Sequence, residues 1–443
     1  MNKKVFVWSM VVALGGLLFG MDVAVISGAE QQIQHIWNLS DVLHGQVLAF
    51  ALYGTVIGAL LGGIPAEKFG RKKVLYWIGA IFLIASLGSA FAPDVVTFIV
   101  FRFLGGLGVG ASSVVAPMFI SEIAPAKSRG KLVATFQFNI VFGILLAYFS
   151  NYLLASIGED AWRWMLGILA IPAGFFVVLL VFVPESPRWL MMHRNDYESA
   201  RKILSISDPD GVEEAIRSIQ EDVNAEKKKA GLSVFFSKKY IKPIFMAVLI
   251  AMFNQLSGIN AIIYFAPRVF ELAGLGKSAA FLQSTGVGLI NLIFTMFGLY
   301  LIDRLGRKKL MLIGSFGYIF SLGAIAAAFH FHYSGGMVVP GLVFIFIASH
   351  AISQGAVIWV FISEIFPNEV RSYGQSIGSA THWIMAAIIT SAFPFFANDP
   401  SIGPAKIFLF FTFMMALQLI WVVFKMPETK GQSLEKIKHI VVH

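Results

Sequence analysis

Apolar runs of about 20 residues recur along this chain, and a helix of that length crosses a lipid bilayer. We count twelve such runs, six on each side of one long polar stretch at residues 188–239. The pattern predicts an all-α membrane protein with twelve transmembrane helices. The runs lie near residues 6–28, 43–65, 74–92, 96–119, 131–153, 162–183, 240–264, 280–302, 309–331, 338–362, 374–396 and 404–425.

The composition places most of this apolar surface in lipid. Hydrophobic residues make up 57% of the 443 residues and charged residues 13%, a balance that a soluble chain of this length could not bury. Cys is absent, which excludes disulfides, thiol catalysis and cysteine-based metal sites. The first run follows Lys3 and Lys4 as in a signal peptide, but it continues to about residue 28 without a convincing cleavage site. We therefore interpret it as the first transmembrane helix.

Basic residues predict the orientation of the chain in the membrane. The net charge of +9 would suggest a nucleic-acid partner in a soluble protein, but here Lys and Arg crowd alternate loops. On the opposite side, Arg268 and Lys277 are the clearest exceptions. We expect both termini and the polar stretch in the cytoplasm, the protein in a bacterial inner (plasma) membrane, and no nucleic acid among its partners. The crowded side holds Lys3, Lys4, Lys68, Arg71, Lys72, Lys73, Lys127, Arg129, Lys131, Arg304, Arg307, Lys308, Lys309 and Arg371.

Three loop motifs occur twice, at offsets of 236, 242 and 243 residues. Two parallel six-helix repeats predict a ligand site near mid-membrane, where the two halves meet. The repeated motifs are FGRKK at 69–73 and LGRKK at 305–309, SEIAPAKSR at 121–129 and SEIFPNEVR at 363–371, and PESPRW at 184–189 and PETKGQ at 427–432.

The repeat divides the chain into four predicted segments. Within the polar stretch, Val212, Ala215, Ile216, Ile219 and Val223 recur at helical spacing among charged residues, which predicts short amphipathic helices. The segments are an N-terminal six-helix domain at 1–187, a cytoplasmic linker at 188–239, a C-terminal six-helix domain at 240–427 and a cytoplasmic tail at 428–443.

Two charges lie inside predicted spans. Asp22 is in the middle of the first apolar run, where a carboxylate is costly unless it is neutral, paired or facing water. It is either a functional site or an acid satisfied by a neighbouring helix. Arg102 lies inside the fourth run, and it either pairs with Asp22 or extends to the membrane interface. If the two pair, protonation of Asp22 would break the pair and could drive a conformational switch.

Neutral amides and aromatic rings form the second set of candidates. Amides offer both donors and acceptors, which suits a ligand with many hydroxyls, although an amide can also bond helices together. Aromatic faces suit the C–H faces of a sugar ring. His382 could bind substrate, titrate near neutral pH or be a core histidine. The candidates are Gln137, Asn254, Gln255, Asn260 and Asn291 for the amides, and Phe19, Tyr264, Trp359 and Trp383 for the aromatic rings.

Acids and bases in the repeated loops form the third set. Glu122 could pair with Arg129, Glu364 with Arg371 and Glu185 with Arg188, with Arg71 and Arg307 beside them. Such pairs could latch the two halves together and release when the halves rock. The alternative is ordinary surface pairing, worth under about 1 kcal/mol for each pair.

Eight motifs in this order resemble the signatures of the sugar porters of the major facilitator superfamily. The resemblance covers nearly the whole chain and is closest to bacterial proton-coupled members such as the xylose and glucose symporters. The motifs are LFGMDVAVISG, GRKK, SEIAPAKSRGKL, PESPRWL, QLSGINAIIYFAP, DRLGRKK, SEIFPNEVRS and PETKG.

The resemblance implies alternating access by rocking of two six-helix domains about a central sugar. It implies that Asp22 is the proton-coupling group and Arg102 its partner. The sugar contacts that it implies are Gln137, Gln255, Asn260, Asn291, Trp359 and Trp383, with Phe19 and Tyr264 alongside. The chain departs from the family pattern at Asn254, at Gly355-Ala356, at His382, at Ile144 and at Ser372, and all but the last of these leave the identity of the sugar open.

The leading hypothesis is a secondary active transporter that imports a hexose or pentose with a proton across the lipid bilayer. A facilitative sugar or polyol uniporter is the alternative. Family uniporters tend to lack the acid of the first span, and the best known carry Glu where this chain has Ala351. A sugar sensor would have longer tails than this one of about 17 residues. No nucleophile–base pair, phosphate loop or metal-ligand spacing indicates an enzyme, so we expect no cofactor, no metal and a monomer.

Overall fold

The computed structural model describes residues 2–125, 128–209, 211–226, 232–333, 336–367 and 369–431. Lys127 and the predicted tail beyond residue 431 lie outside the described residues. Within the described ranges, 12 helical segments are long and apolar enough to cross a membrane, which confirms the prediction of twelve transmembrane helices. They are Lys3–Ile36, Asp41–Leu61, Arg71–Ala90, Val95–Ile123, Arg129–Leu154, Ala161–Phe182, Lys238–Leu272, Lys277–Leu305, Arg307–His330, Val338–Glu364, Arg371–Asn398 and Gly403–Phe424.

The helices that precede the polar stretch form the first half of the molecule. Its sixth span consists of two short α-helices, α7 and α8, and of a 3-10 turn at Leu180–Phe182. The helices are α1 (Lys3–Ile36), α2 (Asp41–Leu61), α3 (Gly63–Phe69), α4 (Arg71–Ala90), α5 (Val95–Ile123), α6 (Arg129–Leu154), α7 (Ala161–Gly167) and α8 (Ala170–Leu179).

The polar stretch contains short helices and leads into the second half, in which spans seven and ten are each divided in two. The short helices are α9 (Pro187–Trp189), α10 (Tyr197–Ser207), α11 (Val212–Glu226) and α12 (Leu232–Phe235). The second half consists of α13 (Ile241–Leu256), α14 (Ile259–Leu272), α15 (Lys277–Leu305), α16 (Arg307–His330), α17 (Val338–Ile352), α18 (Gln354–Glu364), α19 (Arg371–Asn398) and α20 (Gly403–Phe424).

Polar side chains cap the starts of several membrane helices. Ser40 accepts a hydrogen bond from the backbone N–H of Leu43 at the start of α2, and Asp94 accepts from Val96 and Thr97 at the start of α5. These bonds satisfy amides that have no partner within the helix. The hydrogen bonds from Thr97 also hold the pKa of Asp94 below its ordinary value. The caps therefore define where these two spans begin.

The first helix is longer than the apolar run predicted. It continues to Ile36, whereas the sequence placed its end near residue 28. Buried Glu30 and the half-buried Gln34 lie in this extra part, where both bond to Arg268 of α14. The polar residues that end the apolar run therefore remain in the helix because another helix satisfies them.

The two halves pack against each other through three helix pairs: α2 with α19, α6 with α15, and α1 with α14. The approach of α2 to α19 is close, because a Cβ added at Gly45 would lie 2.0 Å from the carbonyl oxygen of Ser391. Tyr148 of α6 donates a hydrogen bond of 2.7 Å to the backbone carbonyl of Ile263 in α14. We call the end of the bundle beside α9–α12 the linker end and the opposite end the far end.

Candidate functional site

The structure brings Asp22 and Arg102 into contact in the middle of the first half. Nη1 of Arg102 donates to Oδ1 of Asp22 over 2.9 Å, and Nη2 donates to the backbone carbonyl of Asp22 over 3.3 Å. Both residues are buried, with 4% and 3% of their surface exposed. Arg102 therefore pairs within the protein and does not extend to the membrane interface. The sequence alone does not decide whether Asp22 in this pair has a structural or a functional role.

Tyr264 links this pair to the second half. It lies on α14, is 1% exposed, and its hydroxyl interacts electrostatically with both Arg102 and Asp22. Phe19 lies one turn before Asp22 on α1, and its ring packs 5.8 Å from the ring of Trp383 on α19. The first helix therefore faces the second half through the same turn that carries the carboxylate.

Three amides of the seventh span form one hydrogen-bonded group, which we call the amide cluster: Asn254, Gln255 and Asn260. Nε2 of Gln255 donates to Oδ1 of Asn254 over 2.9 Å, and Nδ2 of Asn260 donates to Oε1 of Gln255 over 2.8 Å. All three are buried, between 1% and 6% exposed. Amides that are buried together in this way present paired donors and acceptors to a ligand with hydroxyl groups.

Breaks in two helices shape the backbone around the amide cluster. Between α13 and α14, Gly258 has φ of 84°, which favours glycine, and a Cβ there would lie 2.5 Å from the ring of Phe411. Between α17 and α18, Ser353 departs from helical geometry with φ −109° and ψ −94°. Gln354, the next residue, accepts a hydrogen bond from Asn254. Discontinuous helices at mid-membrane are where transporters of this architecture bind their substrates.

Aromatic rings surround His382 beside the amide cluster. The ring of His382 lies 5.1 Å from that of Trp359 and 4.8 Å from that of Trp383. Nε2 of Gln255 lies 3.2 Å from Nε2 of His382 and 3.3 Å from its Nδ1. Trp383 is buried, whereas Trp359 is 39% exposed. The histidine therefore joins the aromatic candidates to the amide candidates in one group.

Two of the predicted sugar contacts lie apart from this group. Gln137 is half-buried on α6, and Asn291 is buried on α15, where its Oδ1 accepts from the hydroxyl of Thr295 over 3.3 Å. In the described part of the chain, neither amide is hydrogen-bonded to the amide cluster. Their helices α6 and α15 pack against each other across the boundary between the halves.

The acids of the repeated loops bind other bases than the sequence suggested. Glu122 accepts from Nε and Nη2 of Arg71, both over 3.0 Å, while Arg129 is exposed. In the second half, Arg307 donates to Glu364 over 2.7 and 3.0 Å, and Arg371 instead donates to the backbone carbonyl of Phe366. Each glutamate therefore contacts the arginine of the preceding loop motif in place of the arginine seven positions after it.

Glu185 also departs from its predicted pairing with Arg188 of α9. Its carboxylate accepts from the backbone N–H groups of Lys72 and Ser186 over 3.0 and 2.8 Å. Burial raises the pKa of Glu185, because desolvation outweighs these hydrogen bonds. Glu185 therefore caps the start of α4, as Glu428 does for α16 through the N–H groups of Arg307 and Lys308.

Sequence reasoning missed a third group of buried polar side chains at the far end, which we call the far-end cluster: Glu30, His44 and Arg268. Arg268 donates from Nε and Nη2 to the two oxygens of Glu30 over 2.9 and 2.8 Å. Nε2 of His44 lies 2.7 Å from Glu30. Glu30 and His44 are fully buried. Glu30 lies eight residues after Asp22 on α1, and that spacing on one helix face is the signal in the sequence.

The chain is similar to known proteins in sequence and in fold. The family described as "Sugar (and other) transporter" matches residues 8–441. The chain is 38% identical to a probable metabolite transport protein of Bacillus subtilis, over 96% of this chain and 92% of that protein. It is 35% identical to the arabinose-proton symporter of the same organism, over 98% and 94%. The inward-open structure of the xylose transporter XylE from E. coli matches with a TM-score of 0.86 and 34% identity, over 99% and 100%.

Proposed function

The chain belongs to the sugar transporter family, and from this premise we propose that it imports a monosaccharide together with a proton by alternating access. It is a multi-pass membrane transporter and not an enzyme. The observation that carries the proposal is the buried ion pair of Asp22 and Arg102, which involves α1, a helix that packs against α14 of the second half. A proton-coupled relative transports arabinose, which makes a pentose or a hexose the proposed substrate.

The linker end is proposed to face the cytoplasm of a bacterium, with the protein in its inner membrane. Basic residues such as Arg71, Lys72, Lys308 and Lys309 begin helices at this end, and positive residues favour the cytoplasmic side. The far end then opens to the outside, where sugar and proton enter.

Asp22 is the proposed proton carrier. With its carboxylate ionised, it neutralises the guanidinium of Arg102 in a buried environment. A proton on Asp22 removes that charge, and Arg102 is left as a buried cation that must find another partner or water. The cost of that unpaired charge favours a rearrangement of α1 against α5, and α1 also packs against α14 of the second half. Proton uptake is thereby coupled to the helix that carries part of the sugar site.

The sugar is proposed to bind between the amide cluster and the rings of Trp359 and Trp383. Amides bond hydroxyls, and aromatic faces cover the apolar face of the ring. His382 contacts Gln255 and both rings, so it would meet the sugar from α19. The remaining proposed contacts are on α1, α6, α14 and α15: Phe19, Gln137, Tyr264 and Asn291.

The structure corresponds to a state in which the far end is closed. The far-end cluster joins α1 and α2 of the first half to α14 of the second, whereas the ion pairs of Arg71 and Arg307 stay within their own halves. Rocking of the halves would break the far-end cluster and bring the two linker-end groups together. A latch that includes Arg71, Glu122, Arg129, Glu185, Arg188, Arg307, Glu364 and Arg371 is proposed for that second state.

Uptake into proteoliposomes tests the proposal. A panel of labelled pentoses, hexoses and polyols is offered with and without an inward proton gradient. We expect at least one monosaccharide to accumulate above its outside concentration only when the gradient is imposed. Equilibration without accumulation would instead identify a uniporter, and binding without uptake would identify a sensor.

The sugar site has its own test. Gln255→Ala removes the amide that bonds Asn254, Asn260 and His382, so sugar affinity should fall about tenfold or more. Gln137→Ala, on α6 and outside the amide cluster, should weaken binding less. Unchanged affinity in Gln255→Ala would place the sugar elsewhere.

A further inference from the structure

A line of buried hydrogen bonds leads away from the amide cluster into the second half. Nδ2 of Asn254 donates to Oε1 of Gln354 over 3.4 Å, and Nε2 of Gln354 donates to Oε1 of Gln418 over 2.5 Å. Nε2 of Gln418 in turn donates to the hydroxyl of Ser315 over 2.9 Å. Gln354, Gln418 and Ser315 are all fully buried, on α18, α20 and α16.

Ser315 gives this line a direction. Its hydroxyl proton is used in a bond of 2.8 Å to the backbone carbonyl of Met311, so its oxygen accepts from Gln418. Gln418 must then direct its NH₂ group to Ser315 and its carbonyl oxygen to Gln354. The same reasoning turns the carbonyl oxygen of Gln354 towards Asn254. Each amide in the line thus fixes which way the next one is turned.

The direction continues into the proposed sugar site. The oxygen of Asn254 accepts from Gln255, and the oxygen of Gln255 accepts from Asn260. The NH₂ group of Gln255 is divided between Asn254 and the ring of His382. What Gln255 offers a ligand is therefore the second lone pair of its oxygen. An acceptor at this position selects a sugar hydroxyl that donates.

We propose that Gln354 and Gln418 are positioning residues, which fix the orientation of the Gln255 amide and so select for a donating hydroxyl on the sugar. This inference rests on the proposed function, because it needs Gln255 to contact the sugar. Neither residue touches the sugar itself. Buried amides also hold helices together, and a residue with only that role would affect folding without changing which sugar derivatives bind.

Fluorinated sugars separate the two roles. Fluorine in place of a hydroxyl cannot donate a hydrogen bond, and hydrogen in place of the hydroxyl can neither donate nor accept. For the transported sugar, the affinities of its monodeoxy and monodeoxyfluoro derivatives are measured at every ring position. In the unmodified protein, we expect both derivatives to bind about tenfold more weakly than the parent sugar at the position that meets Gln255.

Two variants, Ser315→Ala and Gln418→Leu, remove the groups that fix the direction of this line of hydrogen bonds. With the direction no longer fixed, Gln255 can turn its NH₂ group to the sugar, and the loss for the fluoro derivative should shrink to about threefold or less. The deoxy derivative should remain weak. Ser321→Ala is the matched control, since Ser321 is also fully buried on α16 and also bonds the carbonyl four residues before it.

The outcomes are distinct. Folded variants in which the fluoro and deoxy losses stay equal, as in Ser321→Ala, would overturn the inference while sugar binding persists. If Gln418→Leu does not fold, Ser315→Ala decides the question, because it removes only one oxygen atom. A protein that binds no sugar of the panel would overturn the proposed function, and with it the premise of this inference.

Discussion

The two ends of the helical bundle stabilise their buried charges in different ways. At the far end, Glu30 of the first half bonds Arg268 of the second half through both carboxylate oxygens. At the linker end, Arg71 and Arg307 each bond a glutamate of their own half. The same kind of ion pair therefore joins the halves at one end, and stabilises each half separately at the other.

The difference indicates which contacts must change during transport. Glu30 is fully buried, whereas the side chain of Glu364 is 24% exposed. Leaving one partner of a buried pair without the other costs about 3–5 kcal/mol, so the far-end cluster is a strong closure that the cycle must break. The linker-end pairs survive any rigid-body movement of the halves, because both partners move together.

Substitution of Asp22, at the centre of the molecule, should have the largest effect on transport. It tests this carboxylate separately from the ion pairs at the two ends. Asp22→Asn cannot carry a proton, and it removes the charge that Arg102 faces. We expect gradient-driven accumulation to be abolished, while exchange of sugar across the membrane persists. Accumulation and exchange are measured in the same proteoliposomes. Asp160→Asn is the control, because it replaces an exposed carboxylate of the same half that belongs neither to the pair of Asp22 nor to the proposed latch.

Full accumulation by Asp22→Asn would remove this residue from the coupling mechanism. Loss of exchange as well as accumulation would assign it to sugar binding.

Breaking the far-end cluster should open that end. Arg268→Ala leaves Glu30 without its guanidinium partner, and separation of the halves is the direct relief for a buried carboxylate. Because the chain has no Cys, Ser391→Cys on α19 supplies a single reporter thiol that faces Tyr53 of α2 across the boundary. We expect its rate of maleimide labelling to rise more than about tenfold.

Arg71→Ala at the linker end is the matched control for this measurement. It breaks an ion pair of similar geometry within one half, so the labelling rate at the far end should stay within about twofold of the parent. An equal rise in both variants would mean that general loosening, and not the far-end cluster, controls access.

Two double-mutant cycles measure how strongly the two halves are coupled at each end of the bundle. Glu30→Gln with Arg268→Ala should show a coupling energy of about 2 kcal/mol in thermal unfolding, because the two side chains share two hydrogen bonds. Glu122→Gln with Arg307→Ala should be additive within about 0.5 kcal/mol, because each bonds a residue of its own half. Coupling in the second cycle would show that the linker-end groups already communicate between the halves.

How much the sequence could predict follows from the same comparison. The length of an apolar run is a local property of the sequence, so all twelve spans could be predicted. The carboxylate of Asp22 stands out because it lies at the centre of one such run. The burial of Glu30 could not be predicted, because the apolar run ends near residue 28, where a charge is usually in water. Its partner lies 238 residues away, and only the packing of α14 on α1 shows that the site is buried.

The polar line behind the amide cluster was beyond the sequence for a related reason. Gln354 and Gln418 are single amides in separate spans, and either could have faced lipid, water or another helix. The break at Ser353 and the packing of α16 on α20 bring them into one series. Glu122 shows the same limit, since its motif contains Arg129 but the fold places Arg71 beside it.

The smallest expected effect compares the two linker-end groups with each other. Ser186 donates to Glu122 over 2.5 Å and Thr429 donates to Glu364 over 2.6 Å. Loss of either hydroxyl removes one hydrogen bond to a carboxylate, worth about 1–2 kcal/mol in the free energy of unfolding. Ser186 also accepts from the backbone N–H of Trp189, so Ser186→Ala removes this helix cap as well. Ser186→Ala should cost more than Thr429→Ala, because the side chain of Glu122 is 8% exposed against 24% for Glu364, and water replaces a lost bond less readily there.

Thermal unfolding of the purified variants measures this difference, with Ser113→Ala as the control, since Ser113 bonds the carbonyl of Gly110 within its own helix. Neither linker-end variant should alter labelling at Ser391→Cys, because each hydroxyl and its carboxylate belong to one half. A larger loss for Thr429→Ala would mean that the second half depends on its loop contacts more than burial indicates.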